Sequence, residues 1–204
     1  MKIIAVGWNY IKHNQELNLP TIPTEPVVFM KPDSALLRDN RPFFLPDFSS
    51  EVHYETEIIF RINRLGKNIS ERFAHRYYNE IGIGIDFTAR DVQNRQRQAG
   101  NPWEIAKAFD GSAAVSKFVP VEKYNNINRL NFHLDINGKT VQSGNTENQT
   151  FNINKIIAYI SRFFTLKIGD IIFTGTPSGV GKIAIGDRLQ AYIEDEKFLD
   201  FHIR

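Results

Sequence analysis

The apolar residues of this chain come in short runs rich in β-branched and aromatic side chains. Nearly every run is cut off within a few residues by proline, glycine or an Asn-Gly pair. A chain divided in this way has few long periodic stretches to offer a helical bundle, and it buries itself as a sheet of many short strands. Residues 3–6 read as an opening strand, and residues 27–30 as another, stopped by Pro32. Residues 52–62 read as one longer strand. Residues 81–85 alternate isoleucine with glycine, the mark of a buried strand that other backbones approach closely. Residues 130–136 alternate and then meet Asn137-Gly138 ahead of Lys139-Thr140-Val141, a strong hairpin signal. Residues 170–174 carry a strand into a Gly/Pro loop, and residues 185–193 form one more. Helical spacing is confined to residues 9–17, 88–99 and 153–164, with a further helix start capped by Ser70. The fold class is therefore mainly β (α+β), a rolled or sandwiched sheet with a few peripheral helices. With no repeat, linker or low-complexity tract, residues 1–204 read as one domain.

Composition closes off several functions. The chain has 25 Lys+Arg against 23 Asp+Glu, a net charge of +2, which gives no reason to expect nucleic acid or an anionic membrane as partner. There is no cysteine, so disulfides, thiolate nucleophiles and sulfur-ligated zinc are excluded. Any metal must be held by carboxylates, imidazoles or water. No stretch reaches the roughly 20 apolar residues of a membrane span, and the opening apolar run is too short for a signal-peptide core. The expected compartment is the cytoplasm.

Glu55-Thr56-Glu57 is the strongest local signal for chemistry. On a strand, residues two apart share a face, and two carboxylates side by side on an apolar strand repel each other and resist burial. A divalent cation resolves that conflict. Asp86, at the end of the 81–85 strand, is placed to supply a third oxygen, and three carboxylates completed by water suit Mg²⁺ or Mn²⁺. From spacing alone, a solvated strand face with Asp86 in a turn explains the same residues. His13 and Glu16 lie three apart, so a helix puts them on one side as an oriented base or a surface ion pair. His53, His75, His133 and His202 have no such partner and read as structural or solvated. Thr176 to Lys182 imitates a phosphate loop but begins on Thr and has Ile183 where a magnesium-binding hydroxyl belongs. Gly82-Ile83-Gly84 lacks the third glycine of a dinucleotide loop. The basic stretch from Arg90 to Arg97 reads as a solvated helix face or a small-anion site.

Taken in order, six segments resemble the fumarylacetoacetate hydrolase family across nearly the whole chain. They are Gly7-Trp8-Asn9-Tyr10 with His13 and Glu16, Phe29-Met30-Lys31-Pro32, His53-Tyr54-Glu55-Thr56-Glu57, Asp86-Phe87-Thr88-Ala89-Arg90-Asp91-Val92-Gln93, Pro102-Trp103 with Ala106-Lys107-Ala108, and Thr174-Gly175-Thr176-Pro177-Ser178-Gly179. The likeness is strongest to the short acylpyruvate hydrolases and oxaloacetate decarboxylases. It implies the family's mixed β-sandwich roll, a homodimer, and Mg²⁺ or Mn²⁺ (Ca²⁺ in crystals) on Glu55, Glu57 and Asp86. It implies a small 2-oxo acid substrate, with His13, Glu16 and Lys107 catalytic and Lys31, Arg90, Gln93 and Thr176 binding substrate. The implied reaction is hydrolysis of the C–C bond of acylpyruvates, with oxaloacetate decarboxylation as a companion. The alternatives are a 2-hydroxyhepta-2,4-diene-1,7-dioate isomerase or oxaloacetate tautomerase activity, and a catalytically silent metal-binding module. Two residues depart from the pattern: Trp8, expected to border the pocket entrance, and Thr56, expected to point away from the metal.

Overall fold

The structure is a computed structural model and describes residues 1–11 and 23–204. Numbered along the chain, its strands are β1 (Ile3–Gly7), β2 (Val27–Lys31), β3 (Leu36–Leu37), β4 (Val52–Tyr54), β5 (Thr56–Ile62), β6 (Tyr78–Asp86), β7 (Thr88–Ala89), β8 (Ala113–Val115) and β9 (Val119–Pro120). They continue as β10 (Asn131–Ile136), β11 (Lys139–Asn145), β12 (Ile171–Phe173), β13 (Gly181–Lys182), β14 (Arg188–Ile193) and β15 (Glu196–His202). The α-helices are α1 (Arg90–Ala99), α2 (Glu104–Lys107) and α3 (Ile153–Ile160).

Among the described residues these strands make three sheets. The largest runs β2-β1-β12-β5-β6-β8-β3, with β9 attached to β6; a second runs β11-β10-β14-β15; a small third runs β13-β4-β7. Alternation along β5 sends Ile58 and Phe60 to one face of the large sheet and Ile59 to the other. The first face packs on Phe132, Leu134, Leu189 and Ala191 of the second sheet and on Ile153, Ile156, Ile157 and Ile160 of α3. The opposite face gathers Ile3, Ala5, Ile59, Val115, Ile171 and Phe173 into a smaller core. Each isoleucine so buried contributes about 1.5–3 kcal/mol. The result is the mainly β, sandwiched roll expected from the sequence.

Particular elements match or depart from expectation for local reasons. Asn137 and Gly138 take φ 53° and 79°, the two positive values a two-residue hairpin requires, and they join β10 to β11. Gly84 in β6 is required by close approach: a Cβ there would lie 2.6 Å from the Phe173 ring and 3.0 Å from the Ala114 carbonyl. The 52–62 strand is in fact two strands, β4 and β5, in different sheets, with the break at Glu55. The helix expected from residue 88 begins at Arg90, because Thr88 and Ala89 pair with β4. Ser70 precedes a 3-10 turn, Glu71–Arg76, and makes no side-chain cap. The helix from residue 153 stops at Ile160. Strand β15 was not anticipated, because Glu196, Lys197 and Asp200 interrupt its apolar residues. It is an edge strand pinned by Arg188, which donates to both Asp200 oxygens at 2.7 and 2.8 Å. Most of the expected 9–17 helix lies outside the described residues. Among the described residues no helix is long and apolar enough to cross a membrane.

Candidate metal centre and active site

The break at Glu55 builds the site. The Asp86 amide donates to the Glu55 carbonyl at 2.8 Å, and β5 pairs with β6 through Thr56–Ile85 and Glu57–Gly84. That register sets the end of β6 beside the start of β5. Glu55, Glu57 and Asp86 thereby bring one carboxylate oxygen each to within 4.8 Å of one another. All three are buried, at 5%, 2% and 0% exposure. Burial, then the charges of Asp86 and Glu55, hold the Glu57 carboxyl well above the ordinary carboxylate range. The Gly175 amide counters this, donating to Glu57 Oε2 at 2.6 Å. Only glycine serves there: φ is +95°, and a Cβ would sit 2.7 Å from Asn9 Cβ and 3.0 Å from the Val6 carbonyl. Asn9 holds this corner by donating to the Phe151 and Thr174 carbonyls and accepting from the Phe151 amide.

Among the described residues, three cations lie against Glu55 and Asp86. Lys107, at the end of α2, donates at 2.7 Å to both Glu55 Oε2 and Asp86 Oδ2. Burial pulls its ammonium down, but Asp86 and Glu55 outweigh this, and its affinity for the proton ends above the usual lysine value. Arg90, the first residue of α1, donates from Nη2 to Glu55 Oε1 at 2.5 Å and from Nη1 to Gln93 Oε1 at 2.6 Å. Lys31 approaches Asp86 Oδ1 at 2.7 Å. It also donates to Ser112 Oγ at 3.1 Å and to the Lys107 carbonyl. Here burial wins over Asp86, and Lys31 titrates lower than usual.

These contacts redistribute the roles expected from sequence. Glu55, Glu57, Asp86, Lys107, Arg90, Gln93 and Thr176 all line one cleft. Lys31 is not on its wall. It stands behind Asp86 with a fully buried ammonium and pairs with that carboxylate, away from the cleft lining where a substrate contact was expected. The Thr176 hydroxyl is already engaged, donating to the Thr56 carbonyl at 2.9 Å and accepting from Gln142 at 2.8 Å. His13 and Glu16 lie outside the described residues. Two residues escaped the sequence reading. Gln142 of β11 accepts from the Thr56 amide at 3.0 Å and so satisfies the backbone where β12 has ended. His53, read as structural or solvated, accepts from Arg90 Nε on Nδ1 at 3.4 Å and pairs through Nε2 with Glu51 at 2.7 Å. Burial and Arg90 lower its pKa, which favours the neutral ring with its proton on Nε2. Motif spacing could have drawn attention to His53, but its partner Arg90 is 37 residues away.

The donor set fits a hard divalent cation. It is all oxygen, buried, and rich in negative charge that Lys107 and Arg90 partly offset. Above it the cleft turns aromatic. Trp8, at φ 61°, meets Trp103 edge-on at 5.1 Å between ring centroids, and Phe29 meets Trp103 at 6.0 Å. Trp8 thus borders the cleft as expected.

Residues 2–203 match the family described as fumarylacetoacetate (FAA) hydrolase, C-terminal. The chain belongs to the fumarylacetoacetate hydrolase family. Within that family it is 39% identical over 189 residues to oxaloacetate tautomerase YcgM of Escherichia coli, covering 92% of this chain and 86% of the relative. It is 38% identical over 201 residues to the bovine mitochondrial oxaloacetate tautomerase FAHD1, covering 98% and 90%. Among solved structures it is similar to fumarylpyruvate hydrolase from Pseudomonas aeruginosa in complex with Mn²⁺ and pyruvate. That match has a TM-score of 0.94 and 30% identity, and it covers 100% of this chain and 89% of the other. As a member of this family the protein is an enzyme, with a buried acidic triad able to bind metal.

Proposed function

We propose that this enzyme interconverts the keto and enol forms of oxaloacetate or a closely related small 2-oxo acid, with Mg²⁺ or Mn²⁺ on Glu55, Glu57 and Asp86. The observation that carries the reading is the convergence of three buried carboxylates on one point, with Lys107 as shared counter-ion to two of them. The names of the relatives that share nine tenths of the chain support the choice of substrate. Bound there, the cation supplies Lewis acidity that favours loss of a C3 proton from the adjacent oxo acid. Tautomerisation moves one proton from C3 to the 2-oxygen, so no carbon bond breaks and no water is consumed.

The protein's part is positioning and charge. Lys107 can exchange its two carboxylates for a substrate carboxylate or the charged 2-oxygen. Arg90, held by Glu55, Gln93 and His53, fixes the angle at which Glu55 faces the cleft. Lys31 does the same for Asp86. His13, oriented by Glu16, completes this reading as proton carrier, and the homodimer expected from the family resemblance stays part of it. Light scattering on the purified protein tests the dimer.

A second reading, hydrolysis of acylpyruvates, is favoured by the likeness to the fumarylpyruvate hydrolase complex. There His13 would take a proton from attacking water. One assay separates the two. Metal-stripped protein is given oxaloacetate or acetylpyruvate, with and without Mn²⁺, while enol absorbance and pyruvate release are followed. Metal-dependent enol decay without pyruvate release, lost in Glu57→Ala, is the expected outcome. Metal-dependent pyruvate release from acetylpyruvate, lost in Glu16→Ala, would move the assignment to hydrolysis. No turnover with metal bound would leave a silent metal-binding module.

A further inference from the structure

Helix α1 offers one face to the cleft three times. Arg90, Gln93 and Arg97 sit at i, i+3 and i+7, which a helix aligns along one side. The first two are buried at the metal end. Arg97 lies about 10 Å along the axis from Arg90. It is exposed, lines the same cleft, and rests its guanidinium carbon 5.9 Å from the centre of the Trp8 ring. Every other cation of the cleft has a carboxylate partner: Lys107 has Glu55 and Asp86, and Arg90 has Glu55. Among the described residues, Arg97 makes no ion pair. It is a guanidinium braced against the Trp8 ring on the wall of the same cleft, and among the described residues its side chain has no hydrogen-bond partner.

Charge points the same way. Among the described residues, three carboxylates face three basic side chains in the buried part of the site. A divalent cation entering it brings two positive charges, and Arg97 adds another at the mouth. A substrate with a single carboxylate leaves much of this unanswered. One with a carboxylate at each end meets the metal with the first and the guanidinium with the second.

We propose that Arg97 reads the distal carboxylate of a dicarboxylic 2-oxo acid, with the Trp8 ring holding the guanidinium in place. This rests on the 2-oxo acid reading above and narrows it to the dicarboxylates. A bidentate Arg–carboxylate pair at the mouth is a specificity contact, since it distinguishes substrates only by what their far end carries.

The chain has two tryptophans, Trp8 and Trp103, and both line this cleft, so selectively excited tryptophan fluorescence reports on it. Mn²⁺-supplemented protein is titrated with pyruvate and with oxaloacetate, in the parent, Arg97→Gln and Arg97→Lys. The parent is expected to bind oxaloacetate at least ten-fold tighter than pyruvate. Arg97→Gln should shrink that gap below three-fold while pyruvate affinity changes less than two-fold, and Arg97→Lys should restore part of it. Pyruvate binding in the parent with no advantage for oxaloacetate overturns the role of Arg97 and leaves the 2-oxo acid reading standing. Equal loss of both ligands in Arg97→Gln overturns it as well, since that pattern marks damage to the cleft. No quenching by either ligand, with Mn²⁺ bound, overturns the 2-oxo acid reading itself and this inference with it.

Discussion

Replacing Lys107 with methionine removes an ammonium that touches both Glu55 and Asp86 while keeping most of the side chain's volume. Three buried carboxylates then share a pocket in which, among the described residues, Arg90 still pairs with Glu55 and Lys31 with Asp86. Breaking a buried ion pair by deleting one partner costs about 3–5 kcal/mol, because the remaining charge keeps its desolvation penalty. In a domain of this size each kcal/mol moves Tm by roughly 2–4 °C. The metal-free variant should therefore melt roughly 6–20 °C below the metal-free parent. The same argument makes the loss conditional. A divalent cation supplies the missing charge at the same oxygens, and free metal at 100 times its Kd adds about 2.7 kcal/mol to any protein that binds it only when folded. Mn²⁺ should thus return much of the lost Tm, and the shift on adding it should be larger in Lys107→Met than in the parent. Thermal melts by circular dichroism, with chelator and then with a Mn²⁺ series, give both numbers. Turnover should stay abolished in the rescued protein, since the positive charge facing the substrate is still missing. A metal-free variant as stable as the parent, or one that Mn²⁺ fails to stabilise, would refute the view that Lys107 and the metal answer the same carboxylates.

Gly175→Ala should lower Tm by roughly 4–20 °C, from about 1–2 kcal/mol for the left-handed backbone and about 1–3 kcal/mol for the clash with Asn9 and Val6. It should also weaken Mn²⁺ binding through the displaced Glu57 contact, and calorimetry on the folded variant checks this. Gln142→Leu leaves the buried Thr56 amide unpaired, so urea melts should show a loss of about 1–3 kcal/mol, and kcat should fall although Gln142 does not line the cleft. The Arg188 guanidinium and Lys197 pull Asp200 down to about 2, so its ionised form stabilises the fold above its ordinary value and the effect fades as pH falls through about 2. Asp200→Asn should therefore lower Tm by a few degrees at pH 7, after allowance for solvent screening, and by much less near pH 2.

The parts of the fold legible in the sequence are those decided within a few residues. The Asn137-Gly138 hairpin is a local backbone preference, and the Ile81–Ile85 strand announces its close packing by its own glycines. The convergence of three carboxylates was legible because like charges in an apolar run need an external explanation. What stayed hidden depends on partners far along the chain. Nothing near Glu55 says that the strand changes sheets there, since that follows from β4 finding β7 and β13 while β5 finds β6 and β12. Lys31 reads as a substrate contact until Ser112 and Asp86 are seen to enclose it. Gln142 sits 86 residues from the amide it satisfies, and in sequence it is one more polar residue on a hairpin.

The change of sheets at Glu55 has a mechanical side. His53 rides on β4 in the small sheet, and Arg90 follows directly from β7 of that sheet, while Glu57 and Asp86 ride on β5 and β6 in the large one. Glu55 is the joint between the two. A cation gripped by all three carboxylates is then a rivet through that joint, fastening one sheet to the other at the floor of the cleft. On the proposed reading, its removal would loosen this joint as well as take away a Lewis acid, so proteolysis around residues 49–57 should speed up, and turnover should fall, as chelator strips the ion.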